Sequence, residues 1–387
     1  MLEYKSYKAW EGIIVPDVVI SGTGLYTPPE SISNDELVEA FNTWVDQEND
    51  LNREAIAAGE VEPLAKSSSE FIEKASGIVS RYVVNRDGVL DPQRMIPRIP
   101  DRSNDQMSIQ CEMAIHAARG ALAQAQVDAT EVDMVIVACS NLQRAYPAIA
   151  VEIQHYLGCD GYGYDMNVAC SSATFGIKAA ADAIQSGSAK RVLMVSSEIC
   201  SGHLNFRDRD SHFIFGDACT AVLLEREDLV RRKDGYKVVG CHLWTQFSNN
   251  IRNNFGFLNR GDEEGVGKLD KLFIQNGRKV FKEVCPQVAK HIAGHLESLE
   301  LAASDMSRLW LHQANLNMNQ LVARKLLGRE PTVQDAPVIL NEYANTSSAG
   351  SIIAFHKHSL DLKAGDKGVI CSFGAGYSIG SVVVERQ

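Results

Sequence analysis

The chain repeats itself over most of its length, so any fold that cannot hold two copies of one α/β unit is excluded. Met107–Gln126 carries apolar residues at helical spacing and leads through Asp128 to the short apolar run Val135-Ile136-Val137. That run reads as a buried strand ending at Cys139-Ser140-Asn141. The second copy places a helix over Val280–Leu299, then Ser304-Asp305, then the strand Leu309-Trp310-Leu311, ending at His312-Gln313-Ala314-Asn315. Nearly equal stretches separate Asn141 from Cys170 and Asn315 from Asn345. Both arrive at a small-residue turn that opens a helix, Ala169-Cys170-Ser171-Ser172-Ala173 and Asn345-Thr346-Ser347-Ser348-Ala349. Each copy also closes alike: Phe215-Gly216-Asp217 leads into Ala221–Glu225, and Phe373-Gly374-Ala375-Gly376 into Ser381–Glu385. The openings Asp17–Gly22 and Tyr236–Cys241 correspond more loosely.

A repeat of this length implies two similar α/β halves about a pseudo-twofold axis. The halves are expected at 1–227 and 228–387, with the seam in the charged stretch Arg226–Asp234. Two segments of the first half lack a counterpart: 41–69, polar and acidic, and 85–105, rich in Pro and Arg. A lid and a surface hairpin without catalytic role are both open readings of these insertions.

Composition removes several classes of function. The net charge of −11 argues against nucleic acid as the main partner. No stretch reaches the ~18 apolar residues of a membrane helix. Met1–Gly12 has no apolar core of a signal peptide. The nine cysteines form no CxxC pair, so neither a disulfide framework nor a metal site is expected, and a reducing, cytoplasmic setting fits.

Chemistry concentrates at the repeated turns. Cys170 follows the strand-like run Tyr162–Val168 and precedes a helix over Ser171–Ser186, rich in Ala and Gly. A thiol at a helix N-terminus faces the positive end of the dipole, which favours the thiolate. A lone cysteine is more often inert core, and a lone histidine beside a strand more often structural. What favours function here is placement. If a twofold axis relates the halves, Cys170, His312 and Asn345 converge, and an imidazole with an amide forms a donor pair suited to an enolate oxygen.

On the stretches Asp165–Ala173, Phe215-Gly216-Asp217, Leu311–Asn315, Asn345–Ala349 and Phe373–Gly376, the chain resembles the β-ketoacyl-acyl carrier protein synthase III family of the thiolase superfamily. The resemblance covers nearly the whole length. It implies a thiolase-like fold in αβαβα layers and a homodimer, with acyl-CoA and malonyl-acyl carrier protein as partners. Cys170 takes the acyl group as a thioester, the backbone N–H groups of Cys170 and Ala375 hold the oxyanion, and His312 and Asn345 hold the enolate left when malonate loses CO₂. Phe215-Gly216-Asp217 is implied to support the site without reacting. No cofactor or metal is implied, since the CoA and phosphopantetheine thioesters are substrates.

The same resemblance implies that Phe71 and Arg209 flank the CoA adenine, and that Asn315 meets the pantetheine arm. It implies that Tyr146 reaches across from the partner subunit to close the acyl pocket, and that Lys282, Arg324 and Lys325 dock the carrier protein. The chain departs from the family's pattern at Ala75, where an Arg is usual, at Arg278, where an Asn is usual, and at Gly350, where a Ser is common. These departures and the insertions favour a medium-chain donor over acetyl-CoA. Rival readings are a related acyltransferase or polyketide-type synthase with the same triad, and a silent partner subunit, which the intact Cys170 opposes. Gly376-Tyr-Ser378-Ile-Gly380 mimics a hydrolase elbow but has no His after it. Gly22-Thr-Gly24 lacks a third glycine for a dinucleotide site. His356 and His358 read as surface residues.

Overall fold

The first strand, β1 (Val18–Tyr26), is buried on both faces for most of its length, as a central strand must be. In this computed structural model, residues 15–263, 265 and 267–387 are described, so the reading of Met1–Gly12 lies outside them. A cap follows β1, built from β2 (Glu30–Ser33), α1 (Asn34–Leu51), α2 (Arg53–Ala57), α3 (Ser69–Ser76), β3 (Ser80–Val83) and α4 (Asp87–Leu90). Helix α1 begins where Ser33 and Glu36 exchange side-chain and backbone hydrogen bonds, a cap that contributes about 1 kcal/mol. The chain then runs through α5 (Ile109–Ala125), β4 (Met134–Ala138), α6 (Ile149–Leu157), β5 (Tyr162–Met166), α7 (Ser172–Gln185), β6 (Arg191–Ile199) and β7 (Asp217–Arg226). After the charged stretch come β8 (Tyr236–Ser248), β9 (Ile251–Arg252), β10 (Ile274–Gln275), α8 (Gly277–Ser298), β11 (Met306–Leu311) and α9 (Leu316–Leu327). The chain closes with α10 (Leu340–Tyr343), α11 (Ala349–Lys357), β12 (Lys367–Gly374) and β13 (Gly376–Arg386).

The strands order as β11-β12-β13-β8-β1-β7-β6-β4-β5. Outward from the short β1–β8 contact at Val19–Lys237 and Ile20–Tyr236, one arm reads β8-β13-β12-β11 and the other β1-β7-β6-β4. Strands that match in the sequence repeat thus hold matching places, and β5 alone extends the first arm. Helices α7 and α11 share one core with inward residues of both arms, including Ile177, Ile353, Ile136 and Ile370. Outside the first arm lie α5 and α6, around Ala118, Ile149 and Val195. Outside the second lie α8 and α9, around Val288, Val322 and Val369. The result is five layers, αβαβα, as expected from the resemblance. A fourth core under the cap joins Leu37, Phe41 and Ile72 to Phe213, Phe215 and Leu340.

The glycines of β1 have a packing role. A Cβ on Gly24 would sit 1.8 Å from the Ala117 carbonyl oxygen of α5, so they permit helix–strand contact and hold no phosphate. Ser378 is a buried strand residue whose hydroxyl donates to the Ala375 carbonyl at 2.9 Å, which disposes of the hydrolase elbow. Segment 41–69 is in large part the continuation of α1, and its residues, like those of 85–105, line neither chamber that contains Cys170. The lid reading is therefore not supported. His356 is half-buried and bonded to the Thr23 hydroxyl at 2.8 Å, not a free surface residue. The segment between β8 and α8, unremarked in the sequence reading, carries Phe255, Phe257, Leu258 and Leu269, all largely exposed, as is Phe247 near the end of β8. No helix among the described residues is long and apolar enough to cross a membrane.

Candidate active site

Strand β5 ends just before a turn in which Ala169 takes φ 48°, a conformation that costs an alanine about 1 kcal/mol or more. That bend presents Cys170, after which Ser171 and Ser172 donate back to Val168 and Ala169 and α7 begins. The residue before Asn345 bends likewise, Ala344 having φ 54°. Asn345 is clamped against the closing segment of the first half: its N–H donates to the Ile214 carbonyl at 2.9 Å, and its carbonyl accepts from Gly216 N–H at 3.1 Å. Its Oδ1 accepts from Ser347 N–H at 2.9 Å, and among the described residues its Nδ2 has no partner. Phe215-Gly216 thus shapes the site through the backbone.

His312 follows β11, its N–H bonded to the Cys371 carbonyl at 2.8 Å and its ring edge-on to Phe373. The neighbouring Gln313 is buried and fully used: its amide group donates to Leu311 and Pro337, and its Oε1 accepts from Ile339 and Leu340. This holds the segment rigidly. Burial pushes the His312 imidazole down to about 4, so it is neutral at pH 7. Its Nδ1 is buried without a hydrogen-bond partner.

Cys170, His312 and Asn345 line one chamber of about 340 Å³, together with Phe71, Arg278 and Asn315. Cys170 also lines a second, larger chamber of about 960 Å³ with Ser347, Ala375, Leu142, Phe255 and Phe257. Four residues belong to both: Cys170, Phe215, Ile251 and Phe273. The sulfur therefore stands at the junction of two cavities. The backbone N–H groups of Cys170 and Ala375 and the Ser347 hydroxyl lie near enough to favour its charged form, although the Ser347 hydroxyl, buried, has no hydrogen-bond partner of its own. Gly374 presses so closely that a Cβ there would lie 2.7 Å from Cys170 Cβ.

One electrostatic expectation is reversed. Burial pushes the Cys170 thiol up to about 11, with the Glu198 charge adding to the rise, against the downward pull of Ser347 and the two N–H groups. Desolvation outweighs the helix start, and Cys170 rests as a thiol.

The binding residues differ from expectation in detail. The Arg209 guanidinium lies 4.3 Å from the Phe71 ring centroid, and Arg209 Nε donates to the Lys66 carbonyl at 2.7 Å. That is one stacking distance, so a purine between the two requires Arg209 to swing away. Asn315 lines the first chamber, but its side chain is spent on capping α9 and on donating to the Ala75 carbonyl at 2.8 Å. Arg278, the departure from the family pattern, lines the same chamber and has no ion-pair partner among the described residues. Tyr146 is 85% exposed and lines neither chamber of its own chain, although Arg144 and Ala145 line the larger. Lys282 lies on α8, and Arg324 and Lys325 lie on the neighbouring α9. Arg324 is paired with Glu330 at 2.9 Å, and Lys325 lies by Ala289 and Lys290, about two helical turns along α8 from Lys282.

Sequence reasoning missed Glu198, at the end of β6. It is wholly buried beneath the turns, and it accepts from Ser140 N–H at 2.9 Å, Ser140 hydroxyl at 2.6 Å, Ser348 N–H at 3.3 Å and the Ser348 hydroxyl. Its only sequence signal is a carboxylate next to the end of a strand whose middle, Val192–Val195, is apolar. Among the described residues, no group of three or more His, Cys, Asp or Glu is placed to hold a metal.

Five layers with a thiol, an imidazole and an amide at the meeting of two helix-opening turns define a thiolase-fold condensing enzyme. The sequence model of 3-oxoacyl-[acyl-carrier-protein (ACP)] synthase III matches residues 164–246, and that of the family's C-terminal domain 296–386. The beta-ketodecanoyl-[acyl-carrier-protein] synthase of Pseudomonas aeruginosa is 66% identical over 350 residues, covering 90% of this chain and 100% of that one. Among solved structures, the priming beta-ketosynthase of the R1128 polyketide pathway is 25% identical with a TM-score of 0.76, over 97% of this chain and 98% of that one. The 3-oxoacyl-[acyl-carrier-protein] synthase III of Aquifex aeolicus, 24% identical, shares the fold with a TM-score of 0.73 over 95% of this chain and 99% of that one. This chain belongs to the β-ketoacyl-acyl carrier protein synthase III family and is an acyl-transferring condensing enzyme of fatty acid biosynthesis.

Proposed function

We propose that the protein joins a medium-chain acyl group, about eight carbons long, to malonyl-acyl carrier protein, releasing CO₂ and a β-ketoacyl-carrier product two carbons longer. The observation that carries this is the position of Cys170 between two cavities, the larger of about 960 Å³ and lined largely by apolar surface. The similar Pseudomonas enzyme is named for a ten-carbon product, which corresponds to an eight-carbon donor. An acetyl group leaves such a chamber nearly empty. Six further methylenes gain up to about 5 kcal/mol by leaving water, at roughly 0.8 kcal/mol each.

In the first half-reaction, Cys170 sulfur attacks the acyl-CoA carbonyl, the carbon–sulfur bond to CoA breaks, and the thiol proton passes to the departing CoA sulfur. The oxyanion formed on the way is held by the N–H groups of Cys170 and Ala375. In the second, malonyl thioester loses CO₂ in the first chamber and leaves an enolate. The neutral His312 imidazole and the Asn345 amide donate to its oxygen. The enolate carbon attacks the acyl carbonyl, the bond to Cys170 sulfur breaks, and the thiolate takes up one proton. The chemistry calls for neither metal nor cofactor.

The phosphopantetheine arms of both substrates enter by the first chamber, past Phe71, Arg278 and Asn315, with Arg209 moving to admit adenine. The carrier protein meets Lys282 near this mouth, with Arg324 and Lys325 at the flank. Two copies pair along the open edge of β5, where Tyr162 and Tyr164 are exposed, and this carries Tyr146 towards the neighbour's larger chamber. The enzyme works in the cytoplasm. The test is mass spectrometry after exposure to a series from acetyl- to dodecanoyl-CoA, followed by malonyl-carrier protein. Loading on Cys170 that peaks near octanoyl, then CO₂ release, is expected. Absence of any Cys170 adduct in the series refutes the reading.

A further inference from the structure

We infer that Glu198 is a positioning residue that fixes the nucleophile's turn and the amide's turn against each other, one from each half of the chain. The inference rests on the reading of Cys170 as nucleophile and Asn345 as enolate donor, and goes beyond it. The carboxylate reaches both turns. Towards the first half it accepts from the N–H and hydroxyl of Ser140, at 2.9 Å and 2.6 Å. Ser140's carbonyl accepts from Asn167 Nδ2 at 2.7 Å, and Asn167 Oδ1 accepts from Ala169 N–H at 2.8 Å, one residue before Cys170. Towards the second half it accepts from Ser348 N–H at 3.3 Å and from the Ser348 hydroxyl. Ser348 is the N-cap of α11 and the third residue after Asn345. Between them Ser347 is held at φ 50°, its buried hydroxyl without a hydrogen-bond partner and near enough to Cys170 to favour the thiolate.

Four N–H and O–H donors, two from each half, meet one carboxylate, the Cys200 thiol adds a weaker contact at 3.9 Å, and no Lys, Arg or His is among its partners. A buried carboxylate without a cation is costly, and a chain seeking stability alone could fill this space with an apolar side chain. What an apolar residue cannot do is accept from both turns at once and so set their separation. The groups that feel its charge are thiols: Cys139 from β4, Cys170, Cys200 after β6, and Cys219 from β7. Its negative charge favours the protonated form of Cys170, so the same residue that places the sulfur also keeps it a thiol at rest.

The test uses Glu198→Gln, Ser140→Ala and Ser348→Ala in the full chain, with single-turnover acylation of Cys170 by octanoyl-CoA and the pH profile of Cys170 alkylation by iodoacetamide. Replacing an acceptor by an amide that faces four donors is expected to slow acylation by roughly 100-fold, since displacements near 1 Å have this effect, with KM for octanoyl-CoA within about threefold. Removing the charge is expected to move the alkylation profile to lower pH. Each serine variant severs one arm, leaves the charge, and is expected to slow acylation about tenfold with an unmoved profile. A Gln variant that acylates within threefold of the parent overturns the proposal. So does a loss that only tracks the folded fraction while the profile stays in place. If the Gln variant does not fold, the serine variants decide, and parental rates in both reject the clasp. Failure of the parent itself to take an acyl group sinks the reading of Cys170 instead, and the alkylation profile then still reports on Glu198.

Discussion

Gly374→Ala is expected to leave the protein folded and its nucleophile badly placed. A Cβ at this position falls 2.7 Å from Cys170 Cβ, 3.1 Å from its sulfur and 3.4 Å from its nitrogen. Carbon atoms in contact prefer 3.5–4.0 Å, so one of the two turns must retreat by about 1 Å. Neither can do so cheaply. Cys170 is tied through Ala169 to Asn167, and Gly374 ends β12, which pairs with both β11 and β13. Overpacking of this kind costs about 1–3 kcal/mol of stability, which urea denaturation will read. A shift near 1 Å between nucleophile and oxyanion donors costs roughly 100-fold in rate, because Ala375 N–H, one residue on, moves with the new methyl. Single-turnover acylation by octanoyl-CoA, corrected for folded fraction, separates the two effects. Acylation within about threefold of the parent would show that the Ala375 N–H does not serve the reaction, and the assignment of the oxyanion site would fall with it.

Three further outcomes follow from the same geometry. Asn345→Ala and His312→Ala should each slow malonyl decarboxylation by about 10²–10³-fold, the cost of one oxyanion donor, while Cys170 still accepts an acyl group; equal loss in both half-reactions would place these residues elsewhere in the cycle. Alkylation of Cys170 should keep accelerating through pH 9 towards its thiol value of about 11, since only the thiolate reacts; a plateau below pH 8 contradicts the burial argument. Buried His203, His212, His291, His295 and His312 are each pushed down to about 4 by desolvation. The unfolded chain therefore binds more protons below about pH 6.5, and stability should fall as pH drops from 7.5 to 5.5, by about 1 kcal/mol for each histidine. Asp217, raised to about 6, and Asp165 and Glu198, also raised by burial, act in the opposite sense but are three groups against five; a flat urea midpoint over this range refutes the account.

The repeat was legible because each copy is written in local signals. Short apolar runs such as Val135–Val137 and Leu309–Leu311, brief and bounded by turn residues, read as buried strands, and the helices before them have the right period and length. Cys170, His312 and Asn345 were legible as the odd polar residues at the ends of those signals, and the family's motifs then gave them roles. The thiol's protonation was not legible. It depends on how completely the folded chain removes water from one sulfur, and a helix start a residue away gives the opposite hint. Glu198 was invisible for a similar reason, since nothing in Val195-Ser196-Ser197-Glu198-Ile199 says that four donors from distant segments will meet its carboxylate. The wall between β8 and α8 has neither period, so Phe255 and Phe257 could not be assigned to a chamber that exists only after folding. The closed contact of Arg209 on Phe71 is likewise a matter of rotamers.

Under the proposed mechanism, a protonated Cys170 fits a site that serves two substrates through one entrance. With its thiol held up at about 11, Cys170 is overwhelmingly protonated at pH 7. Oxidants and stray electrophiles that reach Cys170 through either cavity therefore meet an unreactive group. A bound thioester changes this locally. Under the proposed mechanism, its carbonyl oxygen accepts from the N–H groups of Cys170 and Ala375, and the developing charge moves from sulfur to an oxygen that they hold better. The rise in the thiol's value thus costs little in the complex, where the charge is never left on sulfur alone, and it protects the enzyme between turnovers. The same reasoning accounts for a neutral His312 beside it. An imidazolium would pull the thiol towards thiolate in the empty site, whereas the neutral ring can still donate one N–H when the enolate appears.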